Sequence, residues 1–487
     1  MKTPCQAHVF EQLALPLPLE RYREAFAIGQ GGFVLDASST TGEPLTILGA
    51  EPTVALRAHR AEHRRASGAL GARVEIEAHG TTVRADVDDA FEVLRALLRE
   101  HAVDPDIFPS DRRFPLLAGA VGYIGYEAGQ LLERLPCVPR PGLGLPDIAF
   151  FFHDWLLVRD QLRSETWLSV VGRATSLREA QLAAAATRDR LVARLVSFTP
   201  GPTRAAPPGP AAHVHTVTSR ASYLADILTA KQHIDAGDAF EICLTHQLEV
   251  PFVGDPFALW EELRRRSPAP YATFLDLPEG AVVSSSPERF LSLDAARIAE
   301  SRPIKGTRPR GDTPDGDARL AADLATSAKD RAENAMIVDL VRNDLGRVCR
   351  FGTVEAPQLF AVERYATVHQ LVSTVRSELE AGHDAVDLVC ACFPPGSMTG
   401  APKIEAMSIL ERLEPTERGV YAGALGFFDA GGTMDLSVVI RTIVVKDGVA
   451  HLHVGGAIVT DSDPESEHEE TMHKARAPLA ALAASLP

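Results

Sequence analysis

GALGFFDAGGTMDLSVVIRTIVVKDGVAHLHV, residues 423–454, holds three strand-like runs in close succession. Residues 423–429, 433–445 and 449–454 are rich in β-branched and aromatic side chains, which suit a pleated, half-buried surface. Lys446-Asp447-Gly448 between the last two runs is a hairpin signal. Helical patterns surround this core of strands. Residues 219–236 read as a helix capped by Ser219 or Ser222 and ended by Gly237. Residues 314–347 are largely helical, and Asp463-Pro464 opens a last helix with Asp as cap and Pro in the first turn. Further strands are expected at 241–250, 281–284 and 289–293. Strands and helices mixed without a regular βαβ rhythm predict an α+β fold.

Upstream, strands are expected at 32–36, 44–49 and 149–158, with helices at 88–100 and 176–196. TPGPTRAAPPGPAA, residues 199–212, is half proline and glycine and fits neither a helix nor a central strand. It divides the chain into an N-terminal region (1–198), a linker (199–214) and a C-terminal region (215–487), or else forms a long surface loop on one globule.

The 487 residues are 45% hydrophobic and 23% charged, an ordinary globular composition that excludes a disordered or fibrous chain. No apolar run reaches the ~18 residues of a membrane span. The N-terminus has no apolar signal core, and the six cysteines are too sparse for a disulfide framework, so a cytoplasmic protein is expected. The net charge of −16 without a basic run argues against nucleic acid as a partner. An anionic substrate would need a local positive site or a metal.

Several residues invite a chemical reading. Glu467, Glu470 and Lys474 share one face of the last helix, and Asp330 and Glu333 share a face of another. Each set suits a solvated face; together, across a cleft, they suit a hard divalent cation. HEETMH (468–473) is not a zinc signature, because its histidines are five apart and not four. Arg441 lies in a strand-like apolar run, where a guanidinium is either at a solvated edge or paired with an anion. Gly455, Gly456 and Ala457 leave backbone amides open to a ligand. Lys305 stands among Arg302, Arg308 and Arg310, either in a basic surface turn or as an amine whose pKa those charges depress.

SPERF (286–290), RPIKGTRPRG, AKDRAENAMIVDLVRNDLGRV, VHQLVSTV, FPPGSMTGAPK (393–403), YAGALGF and the closing GGAIV with its EET run resemble the chorismate-utilising enzymes. That family includes anthranilate, aminodeoxychorismate, isochorismate and salicylate synthases. The resemblance is strong over 219–474 and weaker before the linker. It implies one α+β body with two face-to-face β-sheets surrounded by helices, as in anthranilate synthase component I.

What the resemblance implies for the site is specific. Glu333 and Glu470 match Mg²⁺ ligands, and Asp330 and Glu467 match acids that hold metal-bound waters. Glu288 matches a general acid, and His369 a residue near the C4 leaving group. Tyr421 and Arg441 match binders of the enolpyruvyl carboxylate, with Thr399, Gly400, Gly455, Gly456, Ala457 and Lys474 completing the substrate shell. Lys305, where anthranilate synthases have alanine, marks the aminodeoxychorismate synthase branch and implies a nucleophile. Glu241 replaces the water-activating lysine of isochorismate-type enzymes, with no role assigned.

The implied reaction converts chorismate and ammonia to 4-amino-4-deoxychorismate, towards 4-aminobenzoate and folate. With no glutaminase signature in the chain, a partner glutamine amidotransferase subunit is expected to supply the ammonia. The rivals are anthranilate synthase, against which Lys305 speaks, and isochorismate or salicylate synthase, against which Glu241 and Lys305 speak together. A non-catalytic binding subunit is a rival of another class. In relatives an amino-acid pocket lies between segments matching 34–38 and 267–272; here Ala37 and Ala272 replace a serine and a methionine, and binding does not follow.

Overall fold

The computed structural model describes residues 5–15, 18–26, 30–37, 44–109, 113–199 and 213–483. Most of the Pro/Gly-rich stretch, at 200–212, lies outside the described residues, as does Ser38. Among the described residues, two twelve-stranded sheets carry the fold. The first runs through Cys5–Leu13, Glu165–Ala174, Trp155–Asp160, Leu45–Gly49, Phe33–Ala37, Tyr271–Leu277, Gly280–Ser286, Thr442–Lys446, Val449–Ile458 and Glu241–Pro251. The second includes Val368–Glu378, Ile298–Arg302, Arg289–Leu293, Met434–Val438, Ala424–Asp429, Gly119–Ile124, Ile148–His153 and Val54–Arg64. In each sheet the strands from before the 199–214 segment form one half and those from after it the other, joined by the pairing of Phe33–Ala37 with Tyr271–Leu277 in the first and of Gly119–Ile124 with Ala424–Asp429 in the second.

The sheets pack face to face. Phe33, Ile47, Leu156, Leu275 and Val282 of the first meet Val121, Tyr123, Phe151, Leu425 and Phe427 of the second in one buried cluster. Interdigitating side chains from two inner faces make the core of any such sandwich. Separate clusters cover the outer faces, where helices such as Pro256–Arg266 and Pro464–Ala481 lie against the first sheet and Ala328–Gly346 against the second.

The expected helices form with the caps the sequence supplies. Ser219 caps Arg220–Asp235, and Gly237 follows at φ 85°. Asp463 caps Pro464–Ala481 through the amide of Ser466. The helical run at 314–347 divides into Pro314–Thr326 and Ala328–Gly346, with Ser327 ending one and capping the other. The hairpin forms between Thr442–Lys446 and Val449–Ile458, with Asp447 and Gly448 both at positive φ.

Two expected strands are each two. Residues 149–158 break at Asp154, and 433–445 break at Val439–Arg441. In both cases the chain leaves one sheet for the other. Both halves of each run are buried and largely apolar, so periodicity gives no sign of the break. A third crossing, Pro287-Glu288, links Gly280–Ser286 of the first sheet to Arg289–Leu293 of the second. Arg441 therefore lies not within a strand but at a crossing, at φ 50°.

Candidate active site

Two of these crossings lie side by side. The amide of Val438 donates to the Glu288 carbonyl at 3.0 Å, and the amide of Ser285 donates to the Arg441 carbonyl at 3.2 Å. The Ser286 hydroxyl adds a bond to the Val438 carbonyl at 2.5 Å. Where both segments leave their sheets together, the sandwich parts into a cleft of about 880 Å³. Its wall includes Glu288 and Arg441 from the crossings, Lys305 from Ile304–Pro309, and Tyr421. Gly455, Gly456 and Ala457 come from the Val449–Ile458 strand. Asp330 and Glu333 enter from Ala328–Gly346, and Glu467, Glu470 and Lys474 from Pro464–Ala481. Most residues singled out in the sequence thus meet on one surface.

Three do not. His369 is fully buried behind the wall, its Nε2 at 2.9 Å from Asp317 Oδ1, while its neighbours Val368 and Gln370 line the cleft. The Thr399 hydroxyl is turned to the carbonyls of Pro395 and Gly396 in its own turn. Gly400, at φ 141°, backs onto the Glu241 carbonyl, which would stand 2.1 Å from a Cβ placed there. Glycine is required at that position by close backbone approach, and Ser397 and Met398 present the loop to the cleft instead.

Charge is distributed unevenly around the cleft. Burial lifts the Glu288 carboxyl to about 7, against a bond from the Ser397 side chain and the charges of Lys305 and Arg441. A carboxyl in that range can hold a proton near neutrality and give it up. Arg441 forms no ion pair among the described residues, and burial lowers its pKa from the usual guanidinium value. A guanidinium left unpaired at a cleft wall is a site for an anionic ligand.

Lys305 corrects the expectation drawn from its neighbours. Each nearby arginine is neutralised elsewhere: Arg302 by Glu363, Arg308 by Asp323 at 2.7 Å and Asp330 at 3.0 Å, and Arg310 by Asp317 at 2.7 Å. The Lys305 ammonium instead donates to Glu241 Oε1 at 2.6 Å. Burial opposes its charge, but Glu241, Cys243 and Glu333 together raise its pKa above the ordinary lysine value. The basic neighbours therefore do not free this amine.

The four acids on the two helices do not converge into a ready-made metal site: among the described residues no three metal-ligating side chains stand close enough together. They are held by cations instead. Lys474 pairs with Glu470 at 2.8 Å and Arg308 with Asp330. Lys329 reaches Glu333 at 3.8 Å and Glu467 at 3.7 Å, and all four acids raise its pKa against the effect of burial. Burial, with Glu241 and Asp330, lifts the Glu333 carboxyl to about 7 although Lys305 and Lys329 oppose it. A half-exposed ammonium thus stands in for a cation among hard oxygen donors, so the donor set fits a small divalent ion.

The sequence assigns no role to Glu241 and gives His453 no motif of its own. The His453 ring stacks on Tyr421 with centroids 5.3 Å apart and lines the cleft. Its only sequence sign is its alternation with Leu452 and Val454, whose side chains pack on the outer face of the sheet.

Residues 51–480 match the profile of the family described as chorismate binding enzyme. An aminodeoxychorismate synthase of Streptomyces pristinaespiralis is 47% identical over 379 residues, covering 76% of this chain and 51% of its own. One from Streptomyces griseus is 43% identical over 474 residues, covering 94% of this chain and 61% of its own. The chain thus spans between half and two thirds of the length of these relatives. Among solved structures, anthranilate synthase component I from Streptococcus pneumoniae superimposes with a TM-score of 0.76 at 27% identity, covering 91% of this chain and 93% of that one.

Proposed function

The chain belongs to the family of chorismate binding enzymes, and from that membership we propose that it replaces the C4 hydroxyl of chorismate by an amino group. The product is 4-amino-4-deoxychorismate. The observation that carries this reading is Lys305 on the same cleft wall as the protonatable acid Glu288.

Hydroxide is a poor leaving group, so Glu288 gives its proton to the departing C4 oxygen. Lys305 adds at C2 as that oxygen leaves, and ammonia then adds at C4 and expels the lysine. One hard substitution becomes two easier ones. Arg441 and Tyr421 hold the enolpyruvyl carboxylate, and the amides at Gly455, Gly456 and Ala457 border the ring. Glu333 and Glu470 are the residues that would hold Mg²⁺, with Asp330 and Glu467 one helical turn earlier. The bound ion would neutralise the ring carboxylate and draw electron density from the ring. Lys474 restrains Glu470 and donates to the Gly455 carbonyl at 2.9 Å, tying the helix to the substrate strand. His369, Thr399 and Gly400 act from behind the wall. Ammonia comes from glutamine through an amidotransferase partner, in the cytoplasm, and the product leads to 4-aminobenzoate and folate.

Lys305→Ala tests the reading. Removing a covalent nucleophile costs several orders of magnitude, on the order of 10³-fold or more. Any slow residual product should carry its nitrogen at C2. Aminodeoxychorismate formed at the unsubstituted rate would overturn the proposal.

A further inference from the structure

The nucleophile just assigned is, in the resting protein, an ammonium locked against a carboxylate, and an ammonium has no lone pair to attack with. Something at the site must take its proton at the moment of reaction. The charged and titratable groups around Lys305 come from four directions. Glu241 and Cys243 lie on Glu241–Pro251, Glu333 on Ala328–Gly346, and Glu470 and Lys474 on Pro464–Ala481; Glu288 lies at the sheet crossing. Glu288 must carry its own proton to the leaving oxygen. Glu333 and Glu470 are the residues that would hold the cation, and neither is hydrogen-bonded to Lys305. Burial raises the Cys243 thiol, which keeps it protonated, and Lys474 is a cation. Glu241 remains. Its Oε1 accepts from Lys305 at 2.6 Å, the residue is fully buried, and its Oε2 is buried without a hydrogen-bond partner among the described residues. An ionised carboxylate is an acceptor only, with lone pairs on both oxygens.

We propose that Glu241 is the base that frees Lys305 for attack and returns its proton when the lysine leaves. This role rests on the reading of Lys305 as nucleophile and extends it. The proton moves from Lys305 Nζ to the Glu241 carboxylate, leaving a neutral amine and a carboxylic acid. The amine lone pair forms the N–C2 bond. The two ring double bonds each shift by one position, the C4–O bond breaks, and the oxygen leaves as water with the Glu288 proton. In the second half ammonia bonds to C4, the double bonds shift back and the N–C2 bond breaks. The departing lysine nitrogen recovers its proton from Glu241, and the new C4 ammonium gives one to Glu288. The sum is chorismate plus ammonia giving aminodeoxychorismate plus water, with every protein group restored. The proton stays within the pair, so the amine forms without exchange with solvent.

The test is Glu241→Gln, which keeps the shape and removes the base. Turnover of chorismate is followed with Mg²⁺ and a fixed concentration of free ammonia from pH 7 to 9, with chorismate affinity measured alongside. At pH 7 the variant should be slower by about 10²-fold or more, the usual scale for a lost general base. The ratio of variant to unsubstituted rate should then climb by about tenfold per pH unit, since Lys305 must now lose its proton to water. Taking the ratio cancels the titration of Glu288, which both proteins share. Glu241→Asp keeps a carboxylate and should show a ratio independent of pH; it also provides the readout if the glutamine variant folds poorly. A depressed but pH-independent ratio in Glu241→Gln would reduce Glu241 to a positioning residue and overturn the proposal, as would an unchanged rate. A Lys305→Ala protein of full activity would overturn the reading beneath it.

Discussion

The chain passes between its two sheets at Asp154 and again at the adjoining pair of crossings, Pro287-Glu288 and Val439–Arg441, and the two places differ in what fills the gap. Near Asp154, Phe151, Leu156 and Tyr123 close the inter-sheet space, and Phe151 packs so near Gly31 that its ring would lie 2.1 Å from a Cβ there. Asp154 itself turns outward to Arg173 at 3.0 Å. At the paired crossings Glu288 and Arg441 face a cleft, and the rings of Tyr421 and His453 stand in its wall without filling it. The same architectural event yields core in one place and an open cleft in the other. The side chains at the two crossings differ, and so does the backbone, since Arg441 but not Asp154 takes a positive φ.

The contrast can be broken most sharply at Glu288. Glu288→Gln removes the acid and should lower turnover by about 10²- to 10⁴-fold. Its pH behaviour gives a second check. The folded-state pKa of about 7 lies above the 4.5 of an unperturbed glutamate, so the native state binds more protons and stability falls as pH rises between these values. The glutamine variant escapes that loss. Its Tm should exceed that of the unsubstituted protein at pH 8 and approach it at pH 4, as thermal unfolding by circular dichroism would report; equal Tm at pH 8 would mean that Glu288 is not held in a desolvated place.

Glu470→Gln should cost about 10²-fold in turnover, in line with the several kcal/mol a bound cation supplies. The fold should persist, because Glu470 is about half exposed. The loss should show as a raised Mg²⁺ requirement in a titration of activity; normal turnover at low millimolar Mg²⁺ would contradict the ligand assignment. At the filled crossing the effects should invert. Phe151→Ala should lose about 3–5 kcal/mol of stability in denaturant unfolding while kcat per folded molecule stays put. Smallest is Asp154→Asn, which loosens a partly exposed ion pair worth about 0–1 kcal/mol and should leave kcat within about twofold. A large catalytic defect in either would join the two regions that the account separates.

Much of this was legible in the residues. The caps at Ser219 and Asp463 and the hairpin at Asp447-Gly448 announce themselves by local chemistry that tertiary structure does not override. The family motifs pointed to the cleft-lining Glu288, Lys305, Glu333, Glu470 and Arg441. The crossings were not legible, because a run such as VVIRTIVV is equally apolar on both sides of its break. Nor was the state of Lys305. Three arginines nearby in sequence proved to be spent on Glu363, Asp323, Asp330 and Asp317, and the partner that counts, Glu241, lies 64 residues away. Sequence proximity of charges says little until the counter-charges are placed.

The central claim is that this cleft aminates C4 of chorismate and keeps the enolpyruvyl group, and identification of the product tests it most directly. The purified chain is incubated with chorismate, Mg²⁺ and an ammonium salt, and the products are separated and weighed by mass spectrometry, with pyruvate assayed in parallel. The account predicts 4-amino-4-deoxychorismate and no pyruvate. Anthranilate with an equivalent of pyruvate, or isochorismate formed from water, would contradict it.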